Sequence, residues 1–118
     1  MIKKVITIFH NPRCSKSRAT LQLLNEQQIQ AEIVEYLKTP PTREQLSGIL
    51  DGLGMSPRDL MRTNEPAYAE NNLGDSSLDR DALIDAMIKF PVLIERPIVI
   101  HGNKVAIGRP PEKVLEIL

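Results

Sequence analysis

A chain of 118 residues is long enough to form one domain whose hydrophobic core needs neither disulfides nor metals. Hydrophobic residues make up 42%, charged residues 25%, and the formal net charge is zero, which favours a soluble globular protein and argues against broad nucleic-acid binding. The sequence shows neither an apolar run of the roughly 20 residues that span a membrane nor a signal-peptide pattern, so we expect a cytoplasmic protein.

The first third of the chain has the pattern of a β-α-β unit. Residues 5–9 form a short β-branched run typical of a buried strand, and the apolar periodicity from 15 to about 28 predicts a helix. Residues 32–36 alternate in polarity and predict a second strand, parallel to the first. The predicted buried face of the helix consists of Ala19, Leu21, Leu23, Leu24 and Ile29.

A helical insertion is predicted over about residues 43–90. Thr42 and Gln45 have the spacing of a capping box, and Asp79 has the position of a helix cap. The segment 54–77 is rich in Gly, Pro, Asn and Ser, and it predicts short helices at 58–61 and 66–70. Pro91 ends the last helix of the insertion.

The last third returns to strands. Residues 98–100 and 105–107 flank a turn at Gly102–Asn103, which predicts a hairpin with His101 exposed in the turn. Pro110 and Pro111 then open a terminal helix. The apolar residues of this helix are Val114, Leu115, Ile117 and Leu118. The order predicts an α/β thioredoxin-like fold with a mixed sheet, β-α-β then β-β-α, in a single domain spanning 1–118 with the helical insertion.

Cys14 is the only cysteine, and it lies where the first strand passes into the first helix. A helix N-terminus and nearby cations can lower a thiol pKa from about 8.5 to roughly 3.5–7.5. The segment 1–25 holds five cations and no acid, the cations being Lys3, Lys4, Arg13, Lys16 and Arg18. This pattern indicates an activated nucleophile in an oxyanion pocket. The alternative is an inert buried cysteine on a solvated basic face.

The spacing of the residues that follow Cys14 excludes two kinds of thiol chemistry. Arg18 lies too close to Cys14 for the loop of a tyrosine phosphatase, which separates its cysteine and arginine by five residues. Ser17 occupies the second position of a C-x-x-C motif, where a hydroxyl can bond to the thiolate but cannot resolve a mixed disulfide. The sequence therefore predicts monothiol chemistry.

Five ordered motifs together resemble one family. They are His10-Asn11-Pro12-x-Cys14-x-x-Ser17-Arg18, Tyr36-Leu37-Lys38-Thr39-Pro40-Pro41, Leu60-Met61-Arg62-x-Asn64-Glu65, Glu95-Arg96-Pro97-Ile98-Val99 and Gly108-Arg109-Pro110. Over essentially the whole chain, the sequence resembles the glutaredoxin-coupled arsenate reductases of the ArsC family and their YfgD-type bacterial relatives. It departs from the arsenate reductases at Arg13 and at Ser15–Lys16, where they usually carry a small residue and Gly-x-Ser.

The resemblance implies a set of site residues. Cys14 is the expected nucleophile, with His10 beside it as either an imidazolium that stabilises the thiolate or a neutral ring bonded to the loop backbone. The expected substrate-binding residues are Arg62, Arg96, Arg109, Ser17 and Arg18. Guanidinium groups suit this role because they bind the oxygens of a tetrahedral oxyanion in pairs. Pro97 resembles the cis-proline that faces the cysteine in thioredoxin-like proteins.

The implied activity is arsenate reduction, in which the Cys14 thiolate attacks arsenate and the adduct is reduced to arsenite by glutathione and glutaredoxin. Glutathione is then a co-substrate and no bound cofactor is expected, while one cysteine and two distant histidines make no metal ligand set. We expect a monomer without nucleic-acid or membrane partners. Two alternatives stay open: an Spx-like regulator that binds RNA polymerase, and a glutathione-dependent thiol oxidoreductase with another substrate.

Overall fold

The fold comes from a computed structural model that describes residues 5–118, in which the chain forms two compact units. One unit comprises the chain up to Thr39 together with Arg96–Leu118, and the other comprises Pro40–Glu95. Lys3 and Lys4 of the cationic segment lie outside the described residues. Within residues 5–118, no helix has the length and apolarity needed to cross a bilayer.

The first unit is built on a mixed four-stranded sheet with the strand order β2-β1-β3-β4. Its strands are Ile6–Phe9 (β1), Glu32–Val34 (β2), Ile98–His101 (β3) and Lys104–Ile107 (β4). β1 pairs in parallel with β2 and antiparallel with β3, and β3 pairs antiparallel with β4. The predicted α/β fold with a β-α-β unit followed by a β-β-α unit is confirmed.

The core of the first unit lies between the sheet and the helix α1 (Ser15–Glu26). Ile6 and Ile8 share one face of β1 because successive strand residues point to opposite faces. The other buried members of this core are Leu24, Val99, Ala106, Val114 and Ile117.

The predicted buried face of α1 was wrong at Ala19, which is exposed. The buried residues of the helix are Ser17, Thr20 and Leu24, which follow helical spacing. Small polar residues fit this face because the backbone at Gly108 approaches Thr20 closely. The Thr20 hydroxyl donates to the Lys16 carbonyl at 2.8 Å, so its burial leaves no polar atom unsatisfied.

The hairpin turn lies at Gly102–Asn103 as predicted, with Gly102 at φ 65°. Each strand extends one residue further toward the turn than expected, so His101 belongs to β3 and pairs with Lys104. His101 is half-buried, and its Nδ1 lies 2.6 Å from the Ile117 carbonyl oxygen. The prediction of an exposed turn histidine was therefore wrong.

The terminal helix is a 3₁₀ helix over Pro111–Ile117. With three residues per turn, residues three apart face the same side, so Val114 and Ile117 are both buried. The other two apolar residues of this helix, Leu115 and Leu118, are 42% and 38% exposed.

The second unit is helical. Its α-helices are Arg43–Leu53 (α2), Pro57–Leu60 (α3), Pro66–Glu70 (α4) and Arg80–Lys89 (α5), followed by a 3₁₀ turn at Pro91–Leu93. Both predicted caps are confirmed: Thr42 and Gln45 bond reciprocally, and the Asp79 carboxylate accepts from the Ala82 N–H at 2.8 Å. The buried residues include Leu46, Ile49, Leu50, Leu60, Leu83, Ile84, Met87 and Leu93.

Candidate active site

Cys14 is the N-cap residue of α1, at the end of the loop that leaves β1. Its N–H donates to the Asn11 carbonyl at 3.0 Å, and its own carbonyl accepts from the Arg18 N–H at 3.0 Å. The side chain is only 8% exposed. The loop and the first helical turn therefore hold the thiol in one place beside the free N–H groups of the helix start.

The surroundings of Cys14 favour the thiolate. Burial is the largest single influence, and by itself it raises the thiol pKa. The backbone N–H groups of Ser17 and Lys16 lower the thiol pKa, and the charges of Arg96 and Arg109 attract the anion. Together these four groups outweigh burial, so the pKa of Cys14 lies below its ordinary value. This environment does not match the alternative of an inert hydrophobic cysteine.

Sheet register brings Arg96 and Arg109 together beside the thiol. Ile98 pairs with Ile107, so the same antiparallel register continued by two residues sets Arg96 opposite Arg109. The Arg109 Nε donates to the Arg96 carbonyl at 2.7 Å, and the Arg109 Nη2 lies 3.9 Å from the Cys14 Sγ. The Nε and Nη1 atoms of Arg96 are buried.

The peptide bonds next to these arginines have unusual geometry. The Arg96–Pro97 bond is cis, as the family resemblance predicted. The Arg109–Pro110 bond is also cis, which the sequence analysis did not anticipate.

His10 bonds to Ser17 and not to the loop backbone. Its Nδ1 lies 2.6 Å from the Ser17 Oγ, which also accepts from the Asn11 N–H at 3.0 Å. Burial lowers the pKa of His10, the charge of Arg18 lowers it further, and the charge of Glu35 opposes them. The sequence left open whether His10 is an imidazolium or a neutral ring, and this shift favours the neutral ring. The Ser17 hydroxyl, already an acceptor, can then donate its proton to Nδ1.

The remaining predicted residues have other contacts. Arg18 is exposed, and its Nη1 donates to the Pro12 carbonyl at 3.2 Å, which ties α1 to the loop. Arg62 belongs to the helical unit, where its Nη1 forms an ion pair with the Glu65 Oε1 at 2.6 Å. The structure thus brings Arg96 and Arg109 to Cys14, while the roles of Ser17, Arg18 and Arg62 in substrate binding stay predictions.

Comparison with known proteins identifies the family, because the ArsC family model matches residues 9–117. The chain belongs to the ArsC family. It is 55% identical over 116 residues to the YfgD protein of Escherichia coli (strain K12), covering 98% of each chain. It is 50% identical to the arsenate reductase of Neisseria meningitidis serogroup A over 114 residues, 96% of this chain and 97% of the relative.

A solved structure has the same ArsC fold. The arsenate reductase from Vibrio cholerae superposes with a TM-score of 0.94 at 49% identity, covering 99% of this chain and 100% of that one. The similarity therefore extends over the sheet and the helical insertion alike. Within residues 5–118, no group of three or more His, Cys, Asp or Glu side chains could hold a metal ion.

Asn11 is a site residue of this ArsC-family chain that the sequence analysis missed. Its carbonyl accepts from Cys14, its N–H donates to Ser17, and its Oδ1 accepts from the Arg13 N–H at 3.0 Å. An Asn-Pro pair is a known turn-starting signal, because the short amide side chain bonds to the backbone two residues on. That signal marks Asn11 as the residue that shapes the cysteine loop.

Proposed function

We propose that this protein is an arsenate reductase whose nucleophile is Cys14. The observation that carries the proposal is the Cys14 sulfur itself, which has a lowered pKa and an arginine nitrogen 3.9 Å away. A thiolate is needed to attack arsenic, and a guanidinium beside it suits a tetrahedral oxyanion. The arsenate reductases that are 50% and 49% identical to the chain support the same activity.

The proposed first step joins the Cys14 sulfur to arsenic(V). The thiolate attacks arsenate, and one protonated oxygen leaves as water. Arg96 and Arg109 are proposed to hold the oxygens of the adduct, with Arg62 as the third oxyanion-binding residue and Arg18 as a further cation. Fixed charges of this kind stabilise the oxyanion without the reorganisation that water requires.

His10 and Ser17 are proposed to position the nucleophile. The Ser17 N–H at the start of α1 lowers the pKa of the Cys14 thiol, and the buried Ser17 hydroxyl is held between His10 and the Asn11 N–H. A neutral His10 adds no charge near the thiolate, so its proposed contribution is to fix the rotamer of Ser17 and the start of α1. Both residues therefore act through the geometry of the loop.

Two further thiols complete the proposed reduction. A glutathione sulfur binds arsenic and a second water leaves. A glutaredoxin thiolate then attacks the glutathione sulfur, which forms a mixed disulfide and leaves the electron pair on arsenic, now arsenic(III). Hydrolysis of the remaining bond to Cys14 releases arsenite and the thiol. The overall reaction consumes arsenate and two thiols and yields arsenite, one disulfide and one water.

The single cysteine supports this use of external thiols. With no second cysteine in the sequence, the chain cannot form an internal disulfide, so both electrons come from other molecules. Because reduced glutathione and glutaredoxin need a reducing compartment, the proposal implies a cytoplasmic protein. We expect the monomer to be active, which size-exclusion chromatography coupled to light scattering tests.

The decisive experiment measures arsenite formation from arsenate with glutathione and glutaredoxin. We expect turnover by the wild type and background release by Cys14→Ser, which removes the sulfur but keeps a side chain of similar size. Equal rates for the two proteins contradict the proposal. Crystals soaked in arsenate test the arginines directly, because arsenic at Cys14 without contacts to Arg96 and Arg109 contradicts their assigned role.

A further inference from the structure

A cleft of about 400 Å³ lies beside the cysteine loop and has no part in the proposed oxyanion site. Its walls are residues 10–13 of the loop and three residues after β2, which are Glu35, Leu37 and Lys38. All of them belong to the sheet unit. We call it the lateral cleft. Its volume is within the range of small-molecule sites, and neither Arg96 nor Arg109 lines it.

The charges of the lateral cleft match one type of ligand. Arg13 and Lys38 are cations and Glu35 is a carboxylate, so its charged side chains carry two positive charges and one negative. Lys38 and Glu35 pair at 3.7 Å with side chains 79% and 43% exposed. Such an exposed pair is weak and can be replaced by ligand charges. A ligand with two carboxylates and one ammonium group is complementary to these three side chains.

The lateral cleft also has an apolar wall. Leu37 is 45% exposed and lines the cleft together with Pro12 of the cysteine loop. Together they offer contact for an aliphatic backbone while the charged ends of a ligand bond to the cations and to Glu35. A short peptide has this combination of an apolar middle and charged ends.

The cleft lies within reach of the nucleophile. Arg13 lines it, and Cys14 is the next residue along the chain. Consecutive Cα atoms are about 3.8 Å apart across a trans peptide, whereas a three-residue peptide extends to roughly 10 Å. A tripeptide in the lateral cleft is therefore long enough to extend from the cleft past Arg13 toward Cys14.

We propose that the lateral cleft binds the small thiol co-substrate, a peptide thiol with two carboxylates and one ammonium group, which is the chemistry of glutathione. This inference rests on the proposed function, because it assigns the binding site of the thiol that attacks the arsenic adduct. Lys38 and Arg13 bind the two carboxylates, and Glu35 binds the ammonium group. The sulfur then faces the loop end that carries Cys14.

Binding is tested without turnover by titrating ¹⁵N-labelled wild-type protein with S-methylglutathione, which has the same charges but no free thiol. We expect saturable shifts of the amide signals of Arg13, Leu37 and Lys38. The dimethyl ester of the same compound, which lacks both carboxylate charges, should leave them unshifted. Shifts centred elsewhere, no shifts at all, or equal shifts from the ester overturn the proposal.

A kinetic test uses Lys38→Gln, which removes one proposed carboxylate partner at an exposed position. We expect its KM for glutathione to rise about tenfold, because the variant loses one charge-assisted hydrogen bond to the ligand. The KM for arsenate should be unchanged. Lys113→Gln is the matched control, because Lys113 is an exposed lysine of the same unit outside the cleft, and its KM for glutathione should be that of the wild type.

The two tests separate this inference from the proposed function. If the wild type reduces arsenate with glutathione but Lys38→Gln keeps the wild-type KM, the cleft assignment is wrong and the reductase proposal stands. If the wild type reduces no arsenate while S-methylglutathione still shifts the cleft amide signals, the reductase proposal fails and the assignment of the cleft as a binding site for the peptide thiol stands.

Discussion

Substituting Gly108 by alanine tests how α1 is held against the end of β4. A Cβ at this position would be closer to the Thr20 Oγ1 than van der Waals contact allows, and it would lie 2.8 Å from the Pro97 Cγ and 3.2 Å from the Thr20 Cγ2. Thr20 is fully buried and its hydroxyl is bonded to the Lys16 carbonyl, so moving its side chain away from the new Cβ would break that bond. We therefore expect Gly108→Ala to lower the free energy of unfolding by about 1–3 kcal/mol, the usual cost of overpacking.

Urea denaturation followed by circular dichroism measures this effect. With a slope of about 1–3 kcal/mol/M, the expected loss shifts the midpoint by on the order of 1 M. Gly48→Ala is the control, because Gly48 lies within α2 with no atom near its would-be Cβ. There the alanine should raise the free energy of unfolding by about 0.5–1 kcal/mol through its higher helix propensity.

A double variant tests whether the loss of stability in Gly108→Ala comes from the contact with Thr20. A Thr20→Ala background removes two of the three close atoms and leaves only the Pro97 Cγ, so Gly108→Ala should cost less than in the wild type by about 0.5–3 kcal/mol. Because Gly108 precedes Arg109, the pH midpoint of Cys14 alkylation should also rise when the arginine is displaced. A Gly108→Ala protein with the wild-type urea midpoint refutes the packing argument.

Three further predictions concern single side chains. Asp79→Ala should lower the free energy of unfolding by about 1 kcal/mol in urea denaturation, because the carboxylate caps the Ala82 N–H, whereas Asp79→Asn keeps an acceptor and should cost far less. Burial lowers the pKa of His10 from its usual 6.5, so the unfolded state binds more protons just below that value. The free energy of unfolding should therefore fall as the pH drops below about 6.5, and less steeply in His10→Asn; equal slopes contradict this assignment. Arg96→Ala should raise the pH midpoint of Cys14 alkylation by iodoacetamide, since it removes a cation that lowers the thiol pKa, and an unchanged midpoint shows that Arg96 does not act on the sulfur.

Much of the fold was predictable from the sequence because its signals are local. A β-branched run predicts β1, and the side chains of Thr42 and Asp79 bond to the first turns of their own helices wherever those helices lie. The position of Cys14 at the start of α1 follows from the strand, loop and helix around it. Local patterns therefore specified the order of the elements and the location of the candidate nucleophile.

Residues whose environment depends on distant neighbours were predicted less well. Periodicity favoured Ala19 as a buried residue, but the close approach of Gly108 selects Thr20 for the buried face. His101 was predicted to be exposed beside the turn, yet it pairs within β3 and its Nδ1 contacts the Ile117 carbonyl of the terminal 3₁₀ helix. In each case the competing influence comes from another element, which no local pattern encodes.

The same distinction between local and distant influences applies to the candidate site. The sequence by itself determined that there is one thiol, at a helix start, and motif resemblance selected the arginines. Only the tertiary structure decided that Arg96 and Arg109 meet at the Cys14 sulfur and that burial favours a neutral His10. The physical reason is that electrostatic and burial effects act through space, and the spacing between β3, β4 and α1 is determined by sheet register and packing.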